Sequence, residues 1–266
     1  MELCTSPTNR VRRSASNRQA ERCLPADRPR PVRKGLESIV FKIADSQAER
    51  EAAFELVHEM YTREHLMAPN LYGMRVTPWH LLEGTNVFVA KDRGRVIHTL
   101  SAVPDGPKGL PMESIYGDEI HSRREAGIRL AEITCLAALR DAYSGDHTFH
   151  VFVQLVGLMF QSCRLNGIER LLIAVHPRHA RFYCRALGFE QVGDVKHYES
   201  VCGRPAVACE HDFSRRDVDR YRLYDEVYRH RFDPLQLMGA SMQEEEREYF
   251  SMISSWTDSG SPAFAA

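Results

Sequence analysis

Glu132 stands in the middle of the apolar run Ile128 to Leu139, IRLAEITCLAAL, where a carboxylate needs a physical reason to exist. Such a group must be paired or hydrogen-bonded, be protonated, or face a cleft, because burying its charge alone costs several kcal/mol. A desolvated carboxylate whose pKa is raised toward neutrality can take a proton from an amine, so Glu132 is a candidate for proton transfer. In an extended chain Leu130, Glu132, Thr134 and Leu136 share one face, and Ala131, Ile133, Cys135 and Ala137 the other. Cys135, the nearest nucleophile, then points away from Glu132. The alanines and leucines of the run leave a helix as a competing reading. A metal site is not expected, since Cys202, Cys209 and His211 lack a paired C-x-x-C arrangement.

The elements that would position such chemistry are clearest from Ile168 to Phe189, IERLLIAVHPRHARFYCRALGF. Leu171 to Val175 form an unbroken apolar run, as in a strand covered on both faces. His176 ends it, and Pro177 sits at the first position of a helix, where its missing N–H has no intrahelical partner. Ala180, Tyr183, Ala186 and Leu187 recur at helical spacing on one face, Arg178, Arg181 and Arg185 largely on another, and Gly188 supplies the stop. The sequence predicts a further helix from Phe149 to Asn166, with Phe152, Leu155, Val156, Met159, Phe160 and Cys163 as its apolar stripe.

A chain of 266 residues suits one domain with extensions, and a formal charge of -1 gives no reason to expect a nucleic-acid partner. No apolar run approaches the roughly 20 residues of a transmembrane helix. Seven scattered cysteines fit reduced thiols, and the first residues contain no apolar signal core, so a cytoplasmic protein is expected. Residues 1–36 read as a disordered basic tail. Residues 37–213 read as the main domain. It opens as strand, helix and a strand pair around Asp92-Arg93-Gly94, continues through a loop or short helices at Gly106 to Glu125, and closes with strands near Glu190 to Ser200 and Ala206 to Phe213. Residues 214–266 read as a helical extension, with helices at 215–232 and 243–256, a docking stripe of Tyr221, Tyr224 and Tyr228, and a frayed end. The sum is a mixed α/β fold.

His176 to Phe189, HPRHARFYCRALGF, resembles the last signature of the GNAT acyltransferase superfamily. That resemblance implies a mixed, mostly antiparallel central sheet flanked by helices. It also implies that Tyr183 protonates the thiolate leaving a thioester; as a residue type, Tyr183 equally fits a packing aromatic at the rim of the core. The R/Q-x-x-G-x-G/A loop by which many coenzyme-A users of this superfamily hold pyrophosphate is missing from Arg140 to His150, RDAYSGDHTFH. The donor expected from that departure is the acyl-phosphopantetheine of acyl carrier protein, with acyl-CoA as the alternative and no permanently bound cofactor.

Over roughly Phe41 to Phe213 the chain resembles the FeeM-like long-chain N-acyl amino acid synthases, relatives of the autoinducer synthases. The residues that carry this are YGDEI at Tyr116 to Ile120, LAEITCLA at Leu130 to Ala137, the stretch VFVQLVGLMFQSCRLNGIERLLIAV, and the HPRHARFYCRALGF ending. The resemblance implies transfer of a fatty acyl group to the α-amine of an amino acid. It matches Glu132 to the strand glutamate that helps deprotonate the amine in autoinducer synthases. Their E-x-x-R pattern is broken by Cys135, which disfavours their acceptor. The acyl tail is expected against Leu155, Met159 and Ile173, with Thr134 and His176 as further substrate-binding residues and Arg129 as the cation for the acceptor's carboxylate. Arg123, Arg124, Arg178 and Arg181 are the residues expected to meet the acidic carrier protein. Two competing readings are a coenzyme-A-dependent N-acetyltransferase of a small amine and a noncatalytic module of the same fold.

Overall fold

The computed structural model describes residues 38–139 and 145–258. The basic tail, residues 140–144 of the segment without the glycine loop, and the last eight residues lie outside them. Strand β1 (Ile39–Ile43) and helix α1 (Gln47–Arg63) lead into the hairpin of β2 (Asn86–Asp92) and β3 (Arg95–Pro104), the expected opening. The hairpin turns on Arg93 and Gly94, with φ of 47° and 84°. Two successive positive φ angles match the twist of a tight hairpin, and glycine adopts the second without a side-chain clash.

The segment left open between loop and short helices forms helix α2 (Glu113–Glu125), kinked at Tyr116. Leu130–Ala138 is strand β4, so the helical alternative for that run falls. Helix α3 (Gly145–Leu165), strand β5 (Arg170–Val175) and helix α4 (Pro177–Leu187) follow, with Gly188 at φ 72° closing α4. The expected strand near Glu190 to Ser200 is two short pieces, β6 (Glu190–Gln191) and β7 (Lys196–Tyr198), before β8 (Arg204–Asp212). The sheet runs β1-β2-β3-β4-β5-β8-β6, with β7 also on β8. Every pairing is antiparallel except β4 with β5.

Each face of this sheet has its own helical layer. Apolar residues of α3 and α4 pack on one face with Phe88, Leu100, Ala131, Leu171 and Ile173. On the other, α1 covers Val87, Val89 and Ala137, and α2 covers Val103, Leu130 and Leu172. β5 thus sends alternate residues into both layers, which is why its sequence is apolar throughout.

The continuous helix expected at 215–232 is instead broken into α5 (Phe213–Val218) and α6 (Tyr224–Val227), followed by α7 (Pro234–Leu237). The break has a local cause: the Leu223 N–H donates to the Ala186 carbonyl at the end of α4, which draws the chain out of a helical path. The tyrosine stripe survives, with ring centroids 5.4 Å apart for Tyr221 and Tyr224 and 4.8 Å for Tyr224 and Tyr228. Helix α8 (Glu244–Asp258) returns to α1, where Phe250 meets Phe54 edge to face and Arg50 pairs with Glu246 at 2.7 Å, both buried.

Candidate active site

β4 and β5 pair only from Leu130 opposite Arg170 to Glu132 opposite Leu172. Beyond that point the two strands separate, and a cleft of about 950 Å³ opens between them, lined by Glu132 to Leu136 on one side and Ile173 to His176 on the other. The separation coincides with a β-bulge on the far edge of β4. Ser101 opposes Thr134 and Thr99 opposes Ala137, so Cys135 and Leu136 share the place opposite Leu100, and Cys135 takes φ 52°. A positive φ at a non-glycine residue is strain, and here it sits in the wall of the cleft.

The bulge overturns part of the expected alternation. Cys135 and Ala137 turn to the α1 side, the side of Glu132, while Leu136 turns toward α3. Cys135 therefore shares Glu132's side of the sheet instead of opposing it. On its β5 side, β4 has no strand partner past Glu132, so backbone groups there open into the cleft.

Glu132 is 2% exposed, and its Oε2 accepts the Met112 N–H at 2.8 Å, just where α2 begins. No cation among the described residues pairs with it. Burial pushes its carboxyl up to about 8, with the Met112 bond pulling the other way. Tyr183 lines the same cleft from α4, its ring edge-on to Phe189 at 5.9 Å. Burial pushes its phenol up to about 12, so it holds its proton throughout the ordinary pH range. The cleft thus brings together a buried carboxyl raised above its ordinary range, a phenol that keeps its proton, and a stretch of β4 backbone without a strand partner on its β5 side.

Other expected residues divide. Thr134, Met159, Ile173 and His176 line the cleft, and His176 also caps α4 by accepting the Arg178 N–H at 3.2 Å. Arg178 lies at the rim, and Arg181 is exposed on α4. The structure does not bring Leu155 to the cleft; it is fully buried in the core beneath α3. Arg129 sits at the other end of β4, where its side chain faces Glu169. Arg123 bonds to Glu210, and Arg124 grips Asp105 at 2.7 Å and Glu113 at 2.5 Å, so both clamp α2 to the sheet away from the cleft.

Cleft residues that escaped the sequence reading include Tyr61 at the end of α1, Arg75 in the loop that follows, and Tyr198 on β7. Tyr198 is placed by the YGDEI segment. The Tyr116 hydroxyl lies 2.8 Å from the carbonyls of both Asp194 and Ala206, Lys196 donates to the Ile115 carbonyl at 2.7 Å, and a Cβ on Gly193 would come within 2.7 Å of the Tyr116 ring. That motif is therefore a buckle between α2 and β7. Arg75 stands between Met74 and Val76, both buried, a placement that the fold and not the sequence reveals.

A mixed, mostly antiparallel sheet flanked by helices on both faces matches the GNAT-like folds. The profile of the FeeM family, N-acyl amino acid synthase FeeM, matches residues 52–212. The chain belongs to that family and is an N-acyltransferase. Among solved structures it is similar to FeeM, an N-acyl amino acid synthase from uncultured soil microbes. That match has 26% identity and a TM-score of 0.59, covering 70% of this chain and 95% of that one. The CoA-dependent acyl-homoserine lactone synthase BjaI, with SAM and isopentyl-CoA, matches at 17% identity and a TM-score of 0.49, covering 80% of this chain and all of that one. The acyl-homoserine lactone synthase LasI matches at 15% and 0.47, covering 65% and 88%. No curated protein sequence matches. No helix among the described residues is long and apolar enough to cross a membrane, and no group of three or more His, Cys, Asp or Glu among them could hold a metal ion.

Proposed function

We propose that this acyltransferase moves a long-chain fatty acyl group from acyl carrier protein to the α-amine of an amino acid and releases an N-acyl amino acid. The observation that carries the reading is Glu132: a buried carboxyl with no cation paired to it among the described residues, at the point where β4 and β5 part. Its raised pKa suits a base that takes the proton of an incoming ammonium, directly or through water. The neutral amine then attacks the thioester carbonyl, whose developing negative charge is met by backbone N–H groups of the open β4 edge. The carbon–sulfur bond breaks, Tyr183 gives its proton to the departing thiolate, and the second proton shed by the nitrogen passes through solvent to restore the phenol, leaving the amide N–H.

The size of the cleft supports an extended acyl chain over an acetyl group. About 950 Å³ is at the upper end of the roughly 300–1,000 Å³ usual for small-molecule sites. Phe152, Val156 and Met159 of α3, with Ile173 of β5, form an apolar wall for the tail. The missing glycine loop before α3 favours a donor anchored through its carrier protein and phosphopantetheine arm, and Arg178 at the rim with Arg181 exposed on the same helix are the residues for an acidic carrier to meet.

Mass spectrometry of lipid extracts from bacteria expressing the chain tests this, beside a Glu132→Gln strain of equal protein level. Masses of fatty acid plus amino acid, lost in the variant, support the reading and identify both substrates. If well-folded protein yields none, and instead acetylates small amines from acetyl-CoA, the long-chain reading is wrong.

A further inference from the structure

Arg75 is set into the cleft with its charge unanswered. Met74 and Val76 on either side of it are buried in the core beneath α1, and its own N–H donates to the Phe54 carbonyl at 3.0 Å. Core packing and a bond to α1 thus fix its backbone, so the side chain enters the cleft from a preset position. There Nη2 donates to the Ser200 carbonyl at 3.0 Å, and the guanidinium carbon lies 5.1 Å from the centre of the Tyr61 ring. Nε is buried and has no hydrogen-bond partner.

The other buried or half-buried arginines among the described residues are matched with carboxylates. Arg50 has Glu246, Arg123 has Glu210, Arg124 has Asp105 and Glu113, and Arg170 has Glu210 and Asp212. Arg216 has Glu190, and Arg247 reaches Glu244 at 3.8 Å. Arg75 has none. A half-buried guanidinium with a buried, unused N–H is a poor device for stability and a good one for a ligand anion, because its planar fork matches a carboxylate. Tyr198 connects it to the reacting region, since that phenol lies within electrostatic reach of both Glu132 and Arg75.

We infer that Arg75 is the receptor for the α-carboxylate of the acceptor, so that the enzyme selects free amino acids over amines, amides and esters of the same side chain. The inference rests on the proposed N-acylation and says which end of the amino acid the protein reads. Arg75 holds the carboxylate while Glu132 takes the proton from the α-amine, one carbon away. Arg129 is not available for this role, because it lies at the opposite end of β4 beside Glu169.

Two measurements test it on the full chain. Calorimetry with N-dodecanoylglycine and with its methyl ester reads recognition without turnover. Wild type should bind the acid roughly 10- to 100-fold more tightly than the ester, and Arg75→Gln should bind both alike. Arg75→Lys keeps the charge but not the fork and should fall between. Steady-state kinetics should show KM for the amino acid raised by a similar factor in Arg75→Gln, with KM for the corresponding amino acid amide unchanged. Equal binding of acid and ester by wild type overturns the carboxylate role even if N-acyl amino acids are made. Preference for the acid without turnover leaves Arg75 as the receptor and removes the N-acylation reading instead. A folded wild type that binds neither compound overturns both.

Discussion

The two walls of the cleft are built by different means. The wall from α3, β5 and α4 is a continuation of the core, made of residues such as Phe152, Met159 and Ile173 that also bury the sheet. The opposite wall is largely polar, and its Tyr61, Arg75 and Tyr198 come from a helix end, a loop and a three-residue strand. Hydrophobic burial alone forms the first wall, whereas the second depends on individual hydrogen bonds that hold irregular chain in place. Acceptor choice should therefore respond to substitutions in the second, acyl length to substitutions in the first, and the proton transfers to one residue from each side of the cleft, Glu132 on β4 and Tyr183 on α4.

The largest effect expected is at Glu132. Glu132→Gln should lower kcat/KM for N-acyl amino acid formation by roughly 10²- to 10⁴-fold while circular dichroism stays native. In wild type kcat should rise with pH through about 8, because the carboxyl must ionise to accept a proton, and the variant should lose that limb. A wild-type profile flat from pH 6 to 9 would assign Glu132 to structure.

Stability should run the other way. The folded-state pKa is raised from 4.5 to about 8, so Glu132 contributes most below pH 4.5, where it is protonated in both states. That contribution is lost as pH rises through 8, by at most about 5 kcal/mol. Glu132→Gln should thus gain on wild type in urea denaturation as pH increases from 5 to 9, and a constant difference would show that the carboxyl is not desolvated.

Tyr183→Phe should reduce kcat by roughly 10- to 100-fold with little change in KM, since it removes a proton and little surface. An unchanged kcat measured under single-turnover conditions would leave Tyr183 as part of the apolar wall. The smallest effect belongs to that wall. Val156→Phe should shift the product spectrum toward shorter acyl chains, with about fourfold lost for each methylene no longer accommodated, or ~0.8 kcal/mol. An unaltered chain-length distribution by mass spectrometry would place the tail elsewhere.

The same division decided what was legible in the sequence. Periodicity found the apolar runs of β4 and β5, the stripe of α3 and the proline and glycine bounds of α4, because each repeats one local rule over many residues. Glu132 was visible as an exception to such a pattern. The bulge at Cys135 was not, since its sequence reads as unbroken alternation and only the register against β3 shows the extra residue. Nor could spacing separate Leu155, which packs entirely into the core, from Val156 and Met159, which border the cleft one helical step away. Arg129 and Arg75 are chemically equivalent in the sequence, and only the fold sends one to Glu169 and the other to the cleft.

The ion pair of Arg50 with Glu246 joins partners 196 positions apart, and the Phe250 ring beside it completes the cover over Phe54. On the ribosome, at roughly 5–20 residues per second, α8 is made on the order of 10 to 40 s after α1. For that interval one buried arginine and an aromatic face have no partner, so the synthesis of α8 decides when α1 is finished.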